Sequence, residues 1–210
     1  LYDWLYDNDI KENKQNGVLI EQGTGSINVR NEINSNEKIG FYLAPRKSDE
    51  WSNTWRITCN DISFNKEQGF YANRRDLSGK LPFTDNAFIF TYFTRNRVIN
   101  NGVTNQGDGI HIFLNKPLPS YYKLEYPVVL PNYQHIYLNF ILDNYGFGIN
   151  LDGSYGTFIG ANNILRNGLG LVKDTGVNTY ENMWDEDQYR DFYDYKRAQC
   201  NVACKKNNEI

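Results

Sequence analysis

Short runs of β-branched and aromatic residues, separated by glycine, asparagine and aspartate, recur along most of this chain. Valine, isoleucine, tyrosine and phenylalanine are typical of strands, whereas the intervening residues are typical of tight turns. Strands are predicted at residues 18–20, 27–29, 39–43, 55–59, 62–64, 70–72, 87–93, 109–114, 122–129, 136–142, 147–151 and 157–159. Many short strands with turn residues between them predict an all-β domain built as a sandwich or a barrel.

The strand pattern covers residues 17–172, which we predict to be one β-sandwich domain. Residues 1–16 are interpreted as an N-terminal linker or short helix, because Leu1, Trp4 and Leu5 have helical spacing. We find no internal repeat in the sequence.

Residues 173–210 lose the strand pattern and are predicted to form a C-terminal helical tail. Helical spacing places four residues on one stripe of this tail: Tyr189, Phe192, Tyr193 and Lys196. Such a stripe either packs on the sandwich or docks a neighbouring molecule, and both alternatives stay open.

Composition narrows the classes of partner. The net charge of −3 is too small and of the wrong sign for a nucleic-acid footprint. No apolar run approaches the roughly 18–20 residues that a membrane helix needs, so no membrane span is predicted. The three cysteines, Cys59, Cys200 and Cys204, cannot all pair within one chain and are interpreted as thiols.

The most distinctive stretch joins an aromatic strand at residues 87–93 to a second strand at residues 109–114 through a polar loop. Gly107 and Gly109 flank Asp108 at the end of this loop. Glycine removes side-chain bulk and permits unusual backbone angles. We therefore expect Asp108 either to contact a ligand or to cap a turn between the two strands.

The run from Gly107 to Leu114 resembles the G/A-D-G-[IL]-A-F-x-L signature of the legume-type (L-type) lectins. Gly69-Phe70-Tyr71-Ala72, followed by Asp76-Leu77-Ser78, resembles the small-aromatic strand of that family and the segment after it. The resemblance implies a concanavalin-like β-sandwich that binds carbohydrate. It also implies that Asp108, between its two glycines, accepts short, strong hydrogen bonds from sugar hydroxyls.

In the lectin family an asparagine and an aromatic ring complete the contact with the sugar. The resemblance makes Asn144 the candidate asparagine and Tyr145 the candidate stacking platform, with Phe147 and Tyr155 as further aromatic candidates. The predicted ligand-binding set is therefore Asp108, Gly107, Gly109, Asn144 and Tyr145.

The lectin family also holds calcium and a transition metal through Glu-x-Asp on a central strand, but Asn139-Phe140-Ile141 stands in that place here. Calcium prefers about six to eight oxygen ligands, usually several from carboxylates. Asp143, Asn144, Asn150 and Asp152 either form a weak site or serve turns. We predict no bound metal and no cofactor.

Catalytic motifs are not evident. Asp185-Glu186-Asp187 lies in the predicted helical tail, where carboxylates are typically solvated, and no local pattern supports Cys59 acting with His111 or His135. The protein is therefore predicted not to be an enzyme.

These observations predict a concanavalin-like or jelly-roll sandwich that works as a non-catalytic carbohydrate-binding module. Its partner would be a glycan or cell-surface carbohydrate, and an extracellular or virion-surface location is favoured. The alternative is a structural or assembly subunit of a virus, phage tail or surface layer, forming a homo-oligomer or contacting an assembly neighbour through the C-terminal tail.

Overall fold

Short strands follow one another along the chain at sharp corners, and each strand pairs in parallel with the strand one coil further on. The structure is a computed structural model. It describes residues 3–21, 25–44, 53–73, 89–113, 134–152, 157–175 and 183–184. In this part of the chain the regular elements are strands, and they form three parallel sheets that wind into a β-solenoid.

The strands of the three sheets follow each other in strict rotation. Sheet A contains β1 (Asp3–Tyr6), β4 (Gly25–Val29), β7 (Asn53–Thr58), β10 (Ile89–Thr94), β13 (Gln134–Tyr137), β16 (Phe158–Gly160) and β19 (Met183–Trp184). Sheet B contains β2 (Asp9–Lys11), β5 (Glu32–Asn34), β8 (Asp61–Ser63), β11 (Arg97–Ile99), β14 (Phe140–Leu142) and β17 (Asn163–Leu165). Sheet C contains β3 (Val18–Ile20), β6 (Phe41–Leu43), β9 (Phe70–Asn73), β12 (Ile110–Phe113), β15 (Phe147–Asp152) and β18 (Gly170–Asp174). One strand from each sheet makes one coil, and β19 begins a seventh.

A short sequence pattern, N-x-[IV]-x-x-N, builds sheet B and both of its corners in every complete coil. Its first asparagine stands at the corner between sheets A and B, and we call this stack the first ladder: Asn8, Asn31, Asn60, Asn96, Asn139 and Asn162. Its second asparagine stands at the corner between sheets B and C and forms the second ladder: Asn13, Asn36, Asn65, Asn101, Asn144 and Asn167.

Each ladder asparagine of the second to fifth coils bonds to the coil before it and to the coil after it. Asn96 is fully buried, and its Nδ2 donates to the Ile57 carbonyl at 2.8 Å and to Asn139 Oδ1 at 3.2 Å. Its Oδ1 accepts from the backbone N–H and from Nδ2 of Asn60, at 2.9 and 3.0 Å. Buried amides require such partners, so each coil depends on its neighbours for its corners.

The residue before each ladder asparagine has a left-handed backbone, with φ between 50° and 62°, although none of them is glycine. They are Asp7, Glu12, Arg30, Ser35, Cys59, Phe64, Arg95, Asn100, Leu138, Asp143, Ala161 and Arg166. A left-handed residue of this kind costs about 1–2 kcal/mol. The left-handed residue makes the corner sharp and so directs the next asparagine along the stack. The hydrogen bonds that this asparagine makes to neighbouring coils offset the cost of the left-handed residue.

Glycine precedes the first core residue of sheet C in the first five coils, since stacked backbones leave no room for a side chain. A Cβ on Gly40 would lie 2.5 Å from Asn65 Nδ2, 2.7 Å from Ile62 Cγ2 and 2.8 Å from the carbonyl oxygen of Gly69. In the sixth coil the same position, one residue before Val172, is occupied by Leu171, which is exposed at 42 %.

The core runs along the solenoid axis as stacks of like residues. The central residue of the sheet B strands is isoleucine or valine in every coil, and five of the six are fully buried: Ile33, Ile62, Val98, Ile141 and Ile164. Strand alternation turns one residue in two toward this core, and in-register parallel pairing stacks it on its counterpart. The outward residues form equally regular rows on the three outer faces.

The predicted concanavalin-like or jelly-roll sandwich, and with it the lectin-like description, is wrong. A sandwich of that kind packs antiparallel sheets face to face, whereas every pairing described here is parallel. In the run that resembles the lectin signature, residues 107–113 form a corner and β12 of the solenoid.

The prediction of no internal repeat is also wrong. The ladder spacing between successive coils is 23, 29, 36, 43 and 23 residues. The extra residues lie mainly between sheet C of one coil and sheet A of the next, so a constant motif is separated by connections of variable length.

The interpretation of the N-terminal segment is wrong, whereas most of the C-terminal prediction concerns residues that the structure does not describe. Residues 3–6 and 9–11 are strands of the first coil rather than a linker or short helix, with Leu5 half-buried and its neighbour Trp4 exposed. The predicted strand at 122–129 and most of the predicted helical tail lie outside the described residues.

Asn96→Ala is expected to lower the free energy of unfolding by about 3 kcal/mol, because it leaves the buried Asn60 N–H and Ile57 carbonyl without partners. Urea unfolding followed by circular dichroism measures the change. Asn34→Ala is the matched control, since the Asn34 amide makes an exposed hydrogen bond to Glu32, and it should stay within about 0.5 kcal/mol. Equal effects of the two substitutions would contradict the role of the ladder.

Gly40→Ala is expected to destabilise the protein by about 1–3 kcal/mol, because its Cβ overlaps the next coil. Leu171→Ala changes the corresponding position of the sixth coil, where a large side chain is already accommodated, and should cost less. Thermal unfolding of both variants checks this, and a neutral Gly40→Ala would show that the coils are not stacked this closely.

Candidate functional site

The predicted anchor, Asp108, is buried at the corner that leads into β12. Its Oδ1 accepts the Phe147 backbone N–H at 2.7 Å, and its Oδ2 accepts Asn150 Nδ2 at 2.9 Å. Both partners belong to the next coil, so the carboxylate ties the fourth coil to the fifth. His111 Nδ1 lies 3.2 Å from Oδ2, but neither ring nitrogen of His111 makes a hydrogen bond.

The other predicted ligand-binding residues have separate environments. Gly107 and Gly109 are buried, with the Gly107 carbonyl accepting the Gly146 N–H at 2.8 Å. Asn144 belongs to the second ladder, where its amide bonds to the Val98 carbonyl and to Asn167. Tyr145 alone of the five predicted residues has an exposed side chain, at 49 %. Sugar contact by this set stays a prediction, and it must compete with hydrogen bonds inside the protein.

The oxygen ligands considered for a weak metal site do not converge. Asp143 pairs with Arg166 through two hydrogen bonds of 2.7 Å, which hold the pKa of the Asp143 carboxyl below its ordinary value. Asn150 bonds to Asp108, and Asp152 accepts the Thr175 hydroxyl at 3.2 Å. Across the residues described, no group of three or more His, Cys, Asp or Glu side chains could hold a metal ion.

The three residues considered for nucleophilic catalysis lie on different parts of the solenoid. Cys59 is half-buried at the corner between sheets A and B, His111 faces outward from sheet C, and His135 faces outward from sheet A. Asp185, Glu186 and Asp187 are outside the described residues. The geometry therefore assembles no nucleophile–base pair from Cys59 and either histidine.

The outer face of sheet A carries an aromatic row that sequence reasoning missed. Parallel register aligns one outward residue from each of six coils: Trp4, Ile27, Arg56, Tyr92, His135 and Phe158. The rings of Tyr92 and His135 are stacked at 5.0 Å between centroids and 13° between planes, and His135 meets Phe158 at 6.0 Å. We call this the sheet A row.

A second outward row runs beside it: Tyr6, Val29, Thr58, Thr94, Tyr137 and Gly160. Tyr137 reaches the ring of Phe158 at 6.2 Å, which joins the two rows. Tyr92 and Tyr137 are exposed at 38 % and 39 %. The result is a continuous aromatic patch of Tyr92, His135, Tyr137 and Phe158 on the outer face of sheet A, in which His135 and Phe158 are half-buried.

The electrostatic character of the patch is neutral to basic. Arg56 is exposed and stands next to Tyr92 in the sheet A row, while neither row contains an acidic residue. The Thr94 hydroxyl donates to the Thr58 hydroxyl at 3.0 Å, so hydroxyl groups line the strip between the aromatic ends. Hydroxyls, a guanidinium and ring faces together can meet a ligand that is polar at its edges and apolar on its faces.

Sheet C has a shorter aromatic row. The rings of Tyr42 and Tyr71 are stacked at 5.2 Å, and Tyr71 meets His111 at 5.0 Å. These side chains are half-buried, so the row offers less open ring surface than the patch on sheet A.

A signal for the sheet A row is present in the sequence. Each of its members stands four residues before an asparagine of the first ladder, as Tyr92 does before Asn96 and His135 before Asn139. Aligning the chain on the N-x-[IV]-x-x-N motif therefore brings these residues into one column. Without the repeat, Tyr92 and His135 are simply aromatic residues in different strands.

Comparison with protein-family models, curated proteins and solved structures gives no match to this chain. Among the described residues, no helix is long and apolar enough to cross a membrane. Function must therefore be inferred from the chain's own geometry.

Asp108→Ala is expected to lower the free energy of unfolding by about 2–3 kcal/mol, because it leaves the Phe147 N–H and the Asn150 amide without their charged acceptor. Asp152→Ala removes a half-buried carboxylate with an exposed hydrogen bond to Thr175 and should cost less. Urea unfolding of both variants measures the difference. Unchanged stability in Asp108→Ala would contradict this structural role.

Proposed function

We propose that the protein is a non-catalytic carbohydrate-binding module and that the outer face of sheet A is its binding surface. The observation that carries the proposal is the exposed aromatic patch formed by Tyr92, His135, Tyr137 and Phe158. The C–H face of a sugar ring packs on aromatic rings, and its hydroxyl groups turn outward to hydrogen-bond with neighbouring polar side chains. Arg56, Thr58 and Thr94 stand where such partners are needed.

The shape of the surface favours an extended polymer. The sheet A row runs across the strands, along the solenoid axis, and successive coils are about 4.8 Å apart. A glycan chain lying along this axis contacts one ring after another without entering a pocket. Weak contacts from several sugar units then add up, as they do in other multivalent interactions.

The charge of the surface favours an acidic or neutral glycan. Arg56 lies in the row, and Arg95 is exposed at the corner that follows β10. A carboxylate or sulfate on the polymer can form charge-assisted hydrogen bonds with a guanidinium. Such binding should weaken as salt increases, because exposed charges are screened.

Tyr92→Ala and Phe158→Ala are each expected to weaken polysaccharide binding about tenfold, through loss of ring contact. Affinity electrophoresis in gels containing neutral and acidic polysaccharides gives the change in affinity. Tyr145→Ala is the control, since it removes a tyrosine that is more exposed than Tyr92 but lies away from sheet A, at the corner between sheets B and C, and should leave binding unchanged.

Two results would contradict the sheet A site. Binding that is lost in Tyr145→Ala but kept in Tyr92→Ala would place the ligand beside Asp108 and Tyr145 instead. The wild-type protein failing to bind any polysaccharide would reject carbohydrate binding altogether.

A further inference from the structure

The outer face of sheet B changes character along the solenoid. The central residue of each sheet B strand is in the core, so the residues on either side of it point outward. In the second coil these outward residues are Glu32, which is exposed, and Asn34, which is half-buried. In the fourth to sixth coils five of the six are apolar or uncharged, and we call these five the sheet B face: Ile99, Phe140, Leu142, Asn163 and Leu165.

The sheet B face is buried although it points away from the core. Ile99, Phe140 and Leu142 are 5–7 % exposed and form a hydrophobic cluster of their own, with Leu165 packed against it. Stacking of coils does not by itself bury an outward residue this far. Tyr137 of the fifth coil also has a coil on each side, and it is 39 % exposed on sheet A. Another part of the chain therefore lies over the sheet B face.

We propose that this part is the C-terminal segment, residues 185–210, folded back along the outside of the solenoid. The path of the chain selects it. The internal stretches outside the described residues all join a strand of sheet C to a strand of sheet A: 22–24, 45–52, 74–88, 114–133, 153–156 and 176–182. Each of them begins and ends at the one corner of the coil that sheet B does not share.

The C-terminal segment starts in a different place. It follows β19, a sheet A strand that begins the seventh coil, and in every earlier coil the chain passes from sheet A to sheet B. The segment therefore leaves the solenoid beside sheet B, next to the sixth coil. The buried positions are those of the nearest coils, as a segment folding back from this point requires.

The sequence of the segment matches the surface in character and length. Helical spacing places Tyr189, Phe192, Tyr193 and Lys196 on one stripe. In a helix this stripe is about 10 Å long, and three coils spaced about 4.8 Å apart span the same distance. Aromatic rings on the stripe then cover the aliphatic side chains of the sheet B face, and both surfaces leave water. The aromatic patch on sheet A stays open, so this contact is independent of carbohydrate binding.

Thiol labelling of the full-length chain tests the proposal. Asn163→Cys, with Cys59, Cys200 and Cys204 changed to serine, places a single thiol on the sheet B face. Asn163 is 1 % exposed and its amide makes no hydrogen bond, so the substitution removes none. We expect a maleimide to react with this thiol at least about tenfold more slowly than with the thiol of Tyr92→Cys on sheet A.

Substitutions in the segment show whether it provides the protection. Phe192→Asp combined with Tyr193→Asp puts two charges into the apolar stripe and should raise the labelling rate of Asn163→Cys to that of Tyr92→Cys. Asn207→Asp combined with Asn208→Asp is the matched control, because it adds the same charge to the same segment outside the stripe. Protection should survive in the control.

A second measurement leaves the stripe intact and so does not depend on how the substituted segment folds. A nitroxide attached to Asp194→Cys, in the chain without other cysteines, should broaden the methyl NMR signals of Ile99 and Leu142. The signals of Ile27 and Val29, on sheet A of the second coil, should stay sharp.

Three results would each overturn the proposal. Rapid labelling of Asn163→Cys with an unaltered segment would mean that the sheet B face is open. Protection that persists after the Phe192 and Tyr193 substitutions would assign the cover to another part of the chain. Sharp Ile99 and Leu142 signals beside the nitroxide would place the segment elsewhere.

Discussion

The structure depends on buried asparagine amides that a single coil cannot satisfy. A corner of the solenoid turns the chain sharply, which leaves backbone N–H and carbonyl groups pointing along the axis rather than to a neighbour in sequence. The amide of asparagine supplies both a donor and an acceptor, so it bonds in both directions along the stack. Asn60, for example, receives two hydrogen bonds from Asn31 and donates two to Asn96. Stability is therefore a property of neighbouring coils, as it is in other repeat proteins.

Much of the strand content follows from local sequence, but the pairing of the strands does not. Predicted strands such as 18–20, 70–72 and 147–151 coincide with β3, β9 and β15. The missed strands are mainly those of sheet B, where three residues hold one core side chain and alternation is too short to detect. Asparagine is also a common turn residue, so the ladder positions cannot be told apart from ordinary turns in the sequence. Local patterns do not distinguish parallel from antiparallel pairing, which led to the incorrect sandwich.

In the candidate site, as in the fold, the local sequence identifies individual residues but not the distant residues that they contact. Asp108 stands out in sequence because two glycines flank it, yet those glycines reflect close stacking of coils and the carboxylate bonds to the following coil. The aromatic patch has no local signature, because its members come from strands separated by connections of variable length. Only the constant distance to the first ladder relates Tyr92 to His135 and Phe158. The buried ladder amides fix the register of the coils, and this register determines which side chains stack on the outer face of sheet A.

The polarity of the ladders has a consequence for synthesis of the chain. In the first five coils the ladder amides pair with their successors in the same sense: the corner N–H and Nδ2 of one coil donate to the Oδ1 of the next. During translation a coil that has just emerged therefore has two corners whose donors await sequence not yet made. The wait differs along the chain, because successive ladder asparagines are 23 to 43 residues apart. The longest delay falls between the fourth and fifth coils. The partners of Asn96 and Asn101 are 43 residues further along the chain, whereas the partner of an earlier ladder residue is at most 36 residues away.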